Sequence, residues 1–337
     1  MKTLKKIMIW VLAIIGVLVL GYVMGPRVKR PNLKLKSPKV TRDLRKLEKT
    51  VNVRERQIKN IKPDNQARIV WADSVPKKTT YSLVYLHGWS ASQAEGAPLH
   101  TETAKRYGMN LFLPRLAGHG LEEEDPMVNL TADQLILSAK EAIAIGEQIG
   151  EKVIVMGTST GGTLGLYLAK ENKAIHSLLL YSPNVEIFDA SAKLLSMPWG
   201  LQLAKMVKGS DYHEFDTEIE LKNQYWTTKY RLEALTHLQA LVDETMVPET
   251  FASVTQPVFL GYYYKDELHQ DSVVSVPAML NMFDQLGTAE NEKQKWAFPN
   301  AANHVMTSYI TSKDLTAVKQ KTYRFIESVL AIAPKEE

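Results

Sequence analysis

Ten residues, Val153 to Gly162, constrain this chain more than any others. The apolar run Val153-Ile154-Val155-Met156 leads straight into Gly157-Thr158-Ser159-Thr160-Gly161-Gly162, and a helix-compatible segment follows over 163–170. A serine at the tip of a sharp strand-to-helix turn has strained backbone angles, so the residues two positions to either side must be small. Gly157 and Gly161 supply that room, and Gly162 and Gly165 are expected to let the helix lie close against the strand. Such a turn lifts the Ser159 hydroxyl clear of the sheet and aims the next backbone N–H at whatever sits in front of it. A Gly-rich turn around an ordinary serine would not need the strand and helix that flank this one.

Other pieces fall in a matching order. Tyr81 to Leu86 reads as a strand ending in His87-Gly88-Trp89-Ser90, and Asn110 to Pro114 leads into Arg115-Leu116-Ala117-Gly118-His119-Gly120. Over about residues 65–332 these elements resemble the α/β-hydrolase superfamily, especially its capped serine esterases and monoacylglycerol-lipase-like members. The resemblance is specific at the elbow, the His-Gly-Trp turn and the Gly-His-Gly loop, and loose between residues 186 and 252. It implies that the Trp89 and Thr160 amides donate to an oxyanion, where two preorganised donors must converge on developing negative charge.

The resemblance also implies an acid and then a histidine after the serine. Trp296-Ala297-Phe298 reads as a last strand, and the loop Pro299 to Val305 carries His304 to the carboxyl end of the sheet, where a base can reach the elbow. His213 and His237 lie in the variable middle, His176 starts a strand, and His100 precedes the elbow. His269 stands where the family has no base. His87 and His119 read as loop-holding residues. Two aspartates compete for the acid. Asp266 ends the expected strand from Pro257 to Lys265, whereas Asp271-Ser272-Val273-Val274 matches the family's usual Asp-x-Val-Val, with Ser275 as an N-cap and Pro277 in the first turn. Strand counting favours Asp266 and helix counting favours Asp271. The apolar Val-Val anchor makes Asp271 the expected acid and Asp266 the alternative.

Composition excludes several chemistries. The chain has 337 residues and no cysteine, so disulfides, thiolate zinc sites and cysteine nucleophiles are out. No His/Asp/Glu pair has metal-ligand spacing and no phosphate-binding Gly-rich loop occurs, so neither metal nor cofactor is expected. Charge is uneven. Residues 1–60 hold 16 Lys/Arg against 3 Asp/Glu, while the remainder holds 25 against 34. This basic arm adjoins 19 uncharged residues, Ile7 to Gly25, preceded by Lys2, Lys5 and Lys6. At about 1.5 Å per residue that run just spans a hydrocarbon layer of about 30 Å. Trp10 and Tyr22 sit near its ends as interfacial anchors would. An uncleaved single-pass anchor is expected over 1–25, with a signal sequence as the alternative, and the basic arm is expected to meet anionic headgroups and no nucleic acid. The short basic amino terminus should stay inside and send the body outward, to the periplasmic side, although Arg27, Lys29, Arg30, Lys34, Lys36 and Lys39 on the other flank oppose that.

Residues 26–62 read as a basic juxtamembrane linker, with a charged, solvated helix over Thr41 to Lys59. Residues 63–337 form the expected hydrolase domain: a mostly parallel sheet with helices on both faces and a helical cap over about 186–252. Helices are expected over Ser92 to Tyr107, over 131–148 behind the capping-box spacing of Thr131 and Gln134, and over Asp314 to Ala331. Apolar and aromatic residues in the cap would line an acyl-sized pocket. The expected activity is hydrolysis of an acyl ester or lipid through Ser159, His304 and Asp271. Thioesterase, amidase or peptidase chemistry, or a catalytically idle binding protein on the same fold, are the alternatives.

Overall fold

Near-continuous apolar runs become strands covered on both faces, because successive side chains of a strand enter opposite layers. The computed structural model describes residues 2–215 and 217–336. Among these lies a seven-stranded sheet of β1 (Arg68–Val70), β2 (Thr79–Leu86), β3 (Asn110–Leu113), β4 (Gly150–Thr158), β5 (Ile175–Tyr181) and the later strands Val258–Tyr262 and Lys293–Ala297. Its spatial order is β1-β3-β2-β4-β5 followed by the two later strands, and only β1 pairs antiparallel. Leu83 to Leu86, Val153 to Met156 and Leu178 to Tyr181 are all completely buried. Val84, Val153, Val155 and Leu180 face one core with the helices Ala132–Ile149 and Thr160–Ala169. Tyr85, Ile154, Met156 and Leu179 face the other, with Phe325 and Ile326 of the closing helix Leu315–Ser328. β4 is thus an inner strand, and its carboxyl end is held from both sides.

The first described helix is α1 (Lys2–Val23), an apolar helix whose membrane-length stretch contains no buried residue. α2 (Leu44–Gln57) falls inside the span expected to be a solvated helix, but it is not solvated all round. Leu47 and Val51, four apart, are buried in the main core, and Glu55 completes the same face. Glu55 is buried too. It accepts from the Ala67 amide at 3.0 Å and pairs with Arg115 at 2.8 Å. The stretch before α2 is also fastened down. The Asn32 amide donates to Asp133 at 2.6 Å, and Lys140 and Tyr167 donate to the Leu35 and Leu33 carbonyls at 2.6 and 2.7 Å. The segment expected to be a linker therefore lies along the body, because Leu33, Leu35, Leu44, Leu47 and Val51 offer enough apolar surface to dock it.

The helix expected over Ser92 to Tyr107 is broken at Ala97-Pro98 into a short turn, Gln93–Gly96, and α3 (Leu99–Arg106). Proline lacks the amide that would continue the ladder and crowds the preceding turn. α4 (Ala132–Ile149) has the expected capping box, with Thr131 Oγ1 accepting from the Gln134 amide at 3.3 Å and Gln134 Oε1 from the Thr131 amide at 2.9 Å. α5 (Thr160–Ala169) follows the elbow. Within 186–252 lie α6 (Gly200–Lys208), α7 (Glu220–Tyr225) and α8 (Leu232–Thr245), plus a small antiparallel ribbon, Tyr212–Glu214 with Lys229–Arg231, that helical spacing did not suggest.

The docking of α2 is checked by Leu47→Ala. Removing a fully enclosed leucine from a core costs about 2–5 kcal/mol, so the unfolding free energy from urea titration should fall by that amount. A midpoint shift within error would mean that α2 is an appendage.

Candidate active site

The elbow is built as the glycine spacing requires, with one exception. Ser159 adopts φ +53°, ψ −120°, a region that costs a non-glycine residue about 1–3 kcal/mol. The strain is pinned from both sides: the Ser159 amide donates to the Tyr181 carbonyl at 3.0 Å, and the Asn184 amide donates to the Ser159 carbonyl at 3.0 Å. A methyl on Gly161 would lie 1.8 Å from the Leu86 carbonyl oxygen, and one on Gly157 would lie 2.7 Å from the Gly161 oxygen. One on Gly162 would press on Pro183 at 2.7 Å. At Gly165 it would meet Val155 at 3.4 Å, an ordinary contact, so that glycine is not needed for the close approach. Thr160 opens α5, so its amide has no carbonyl one turn back and points from the positive end of the helix dipole.

The turn after β2 lies against this serine. A methyl on Gly88 would stand 3.0 Å from Ser159 Cβ and 2.6 Å from Glu95 Oε1, so only glycine brings Trp89 this close. His87 and His119 hold the loops around it. The Leu116 amide donates to His87 Nε2 at 3.1 Å, which leaves the proton on Nδ1, donated to the Gly88 carbonyl at 3.0 Å. His119 Nδ1 donates to the Ala117 carbonyl at 2.7 Å. Burial pushes both imidazoles down, His119 to about 4, so both are neutral near pH 7. The Trp89 ring packs edge-on against His119 and Tyr230, at centroid distances of 5.6 and 6.0 Å.

His304 Nδ1 donates to Asp271 Oδ2 at 2.7 Å, across 33 residues of sequence. Asp271 is fully buried, and its other oxygen accepts from the Val273 and Val274 amides at 2.9 and 3.1 Å. Burial alone would raise the Asp271 pKa, but the facing imidazole and these bonds outweigh it and hold the carboxyl below its usual range. For His304, burial opposes the charged form, yet the negative charge and hydrogen bond of Asp271, with a contribution from Glu95, leave the imidazole more basic than usual.

Asp266, the alternative acid, is not brought to His304. Half exposed, it accepts from His269 Nδ1 at 2.7 Å and from the Leu268 and His269 amides, closing a solvent-facing hairpin of Tyr264–Asp266 with His269–Gln270. Strand counting failed because the run Tyr262-Tyr263-Tyr264 continues past the end of the sheet. The strand ends at Tyr262, the chain turns out through the hairpin, and it returns with the Asp271 amide on the Tyr263 carbonyl at 3.1 Å.

Sequence reasoning missed Glu95 altogether. It is 2% exposed, its Oε1 lies against Gly88 on the side where Ser159 Cβ also approaches, and it feels the charge of His304. Lying in a stretch of Ser, Gln, Ala and Gly that reads as a surface helix, it carries no motif that would mark it. Among the described residues, no three His, Asp or Glu side chains converge as metal ligands would.

The chain belongs to the alpha/beta hydrolase family, whose profile matches residues 83–311. It is similar to the thermostable monoacylglycerol lipase of Bacillus sp. (strain H-257), with 33% identity over 105 residues, 31% of this chain and 41% of the lipase. The matched stretch therefore spans about two fifths of that relative. In fold it resembles a structure from work on the metagenome-derived lipolytic enzymes LipS and LipT, with a TM-score of 0.64 at 16% identity over 79% of this chain and 99% of that one. Est1E from Butyrivibrio proteoclasticus, with ferulic acid bound, superposes with a TM-score of 0.53 at 15% identity, covering 79% and 95% of the two chains.

A matched pair of substitutions tests the elbow. Gly161→Ala drives a methyl into the Leu86 carbonyl and should destabilise by about 3 kcal/mol or more. Gly165→Ala, in open contact within a helix, should be neutral or stabilise by up to about 1 kcal/mol. Equal effects in thermal unfolding would contradict the packing described.

Proposed function

We propose that this chain is a membrane-tethered serine hydrolase that cleaves carboxylic acyl esters in two steps. The observation that carries the reading is the His304–Asp271 bond, made at the end of the sheet that also bears the strained serine. In the first step Ser159 Oγ attacks the ester carbonyl while His304 Nε2 takes its proton. The carbonyl oxygen, now negative, is held by the Trp89 and Thr160 amides. His304 then hands the proton to the departing alcohol, leaving an acyl-enzyme that a water, activated the same way, hydrolyses. Asp271 fixes the ring so that Nε2 faces the serine and stabilises the imidazolium without taking the proton. The monoacylglycerol lipase relative and the half-exposed apolar residues of the cap, Phe188, Leu194 and Met197 among them, favour an acyl chain over a polar acid as the group recognised.

The tether reading rests on α1 and on its contact with the cap. Trp199 Nε1 donates to the Gly21 carbonyl at 3.1 Å, and its amide donates to the Pro26 carbonyl at 2.7 Å. The cap therefore lies against the end of the apolar helix, and the exposed Leu203 and Met206 of α6 belong to the same region of the cap. The short basic amino terminus is retained inside and the body is carried outside.

Two experiments test these readings. A fluorophosphonate probe should label the wild type and lose its label in Ser159→Ala. Asp271→Asn should cut p-nitrophenyl ester turnover by about 10⁴-fold, while Asp266→Asn stays within about twofold. The reverse order would overturn the triad, and activity confined to thioesters or amides would overturn the ester assignment. For the tether, the full-length chain should resist extraction by alkaline carbonate with its amino terminus intact. Because the chain is free of cysteine, Leu268→Cys, at an exposed hairpin tip, reports sidedness. An impermeant maleimide should label it in intact cells, and labelling only after lysis would place the body inside.

A further inference from the structure

Glu95 is a buried carboxylate that the chemistry above does not use, and it stands where three loops of the site meet. Its Oε2 accepts from the Gly88 amide and from the Tyr85 hydroxyl, the latter at 3.0 Å. Its Oε1 occupies the space that a side chain on Gly88 would need, on the side where Ser159 Cβ also approaches. The backbone of the same turn is tied to the histidine loop, with Thr307 Oγ1 donating to the Glu95 carbonyl at 2.7 Å and Ser308 Oγ to the Ala94 carbonyl at 2.8 Å. The Tyr85 oxygen in turn accepts from Thr158 Oγ1, of the residue before the nucleophile, at 3.1 Å. Glu95, by its side chain, its backbone carbonyl and its Tyr85 partner, thus links the Trp89-bearing turn, the loop of His304 and the elbow.

A carboxylate so enclosed acts as more than a strut, because its charge reaches the imidazole. The groups around it are few. His304 of the last loop feels its charge, and Tyr85 of β2 donates to it. α7, packed on the same turn, brings Lys222, whose charge opposes protonation of His304. Beyond Gln93 lie Asp64, which accepts from Gln93 Nε2 at 3.1 Å, and His100, which donates to the Gln93 carbonyl at 2.8 Å and feels the charge of Arg68.

We propose that Glu95 is a second carboxylate of the active site, a positioning residue that fixes the Trp89-bearing turn through the Gly88 amide and adds its negative charge to that of Asp271 on the His304 imidazolium. This rests on the serine-hydrolase reading above. Burial pushes Glu95 up to about 7, against the pull of the Gly88 amide, His304 and Tyr85, so its charge appears near neutrality. The most active form has His304 neutral and Glu95 ionised. The two therefore titrate as a coupled pair on the acid side of the rate profile.

Glu95→Gln separates charge from shape, since glutamine retains an acceptor for the Gly88 amide and the Tyr85 hydroxyl. In the wild type, the acid limb of log kcat/KM against pH should fall with a slope between 1 and 2. In Glu95→Gln it should fall with a slope of 1 and at a lower apparent pKa, with kcat reduced roughly tenfold, the equivalent of one pKa unit, and KM little changed. Stability supplies an independent readout. A glutamate whose folded pKa lies above its unfolded value near 4.5 makes the native state bind more protons, so stability falls as pH rises from about 4.5 through about 7. Glu95→Gln should lose that decline and unfold no more easily than wild type at pH 8. A variant with the wild-type kcat and acid limb, or one destabilised at pH 8 with an unchanged limb, would overturn the proposal and leave Glu95 a structural residue. Loss of ester hydrolysis by the wild type itself would instead strike the serine-hydrolase reading, so the two failures are told apart by the parallel wild-type and Ser159→Ala assays.

Discussion

The backbone of Ser159 is the constraint on which the rest of the site depends. A non-glycine residue at φ +53° is a local minimum only if the chain on both sides is immobile. β4 supplies one side, an inner strand whose apolar residues are wholly buried, and α5 supplies the other, with every residue from Thr160 to Ala169 enclosed. Each buried aliphatic side chain contributes about 1.5–3 kcal/mol, so a few of them offset the strain. The glycines at 157, 161 and 162 are then a consequence: with the serine held there, the flanking backbones come within van der Waals contact of Leu86 and Pro183.

Around that fixed point, charge is arranged in layers. Asp271 is buried against His304 and kept ionised by bonds the imidazole and two amides make to it. Glu95 is buried on another side, near Gly88. The neutral pair His87 and His119 forms part of the wall, where charged imidazoles would compete with His304. The basic arm is neatly separated from all of this. Its residues lie along the outer surface through contacts such as Arg30 with Glu244 at 3.2 Å.

Much of the fold was legible because its causes are local. The elbow glycines, the Thr131–Gln134 box and the near-continuous apolar runs each act within a few residues. His304 was legible from its place after the last strand, and Asp271 from the Val-Val pair whose amides its carboxylate now accepts. What escaped depends on contacts between distant segments. Asp266 and Asp271 differ only in where the sheet ends, which the tyrosine run hides. α2 looked solvated because Arg and Lys dominate its composition, although Leu47, Val51 and Glu55 share one face and find Ala67 and Arg115 across the fold. Glu95 is invisible in sequence because its partners, the Gly88 amide and the Tyr85 hydroxyl, are defined by tertiary structure alone.

The most direct measurement is a crystal structure of the chain after inactivation by an alkyl phosphonate, which mimics the tetrahedral intermediate. The account predicts phosphorus bonded to Ser159 Oγ, one phosphonyl oxygen within about 3.1 Å of both the Trp89 and Thr160 amides, and His304 still bonded to Asp271. Phosphorus on another residue, or an oxygen turned away from both amides toward solvent, would contradict it.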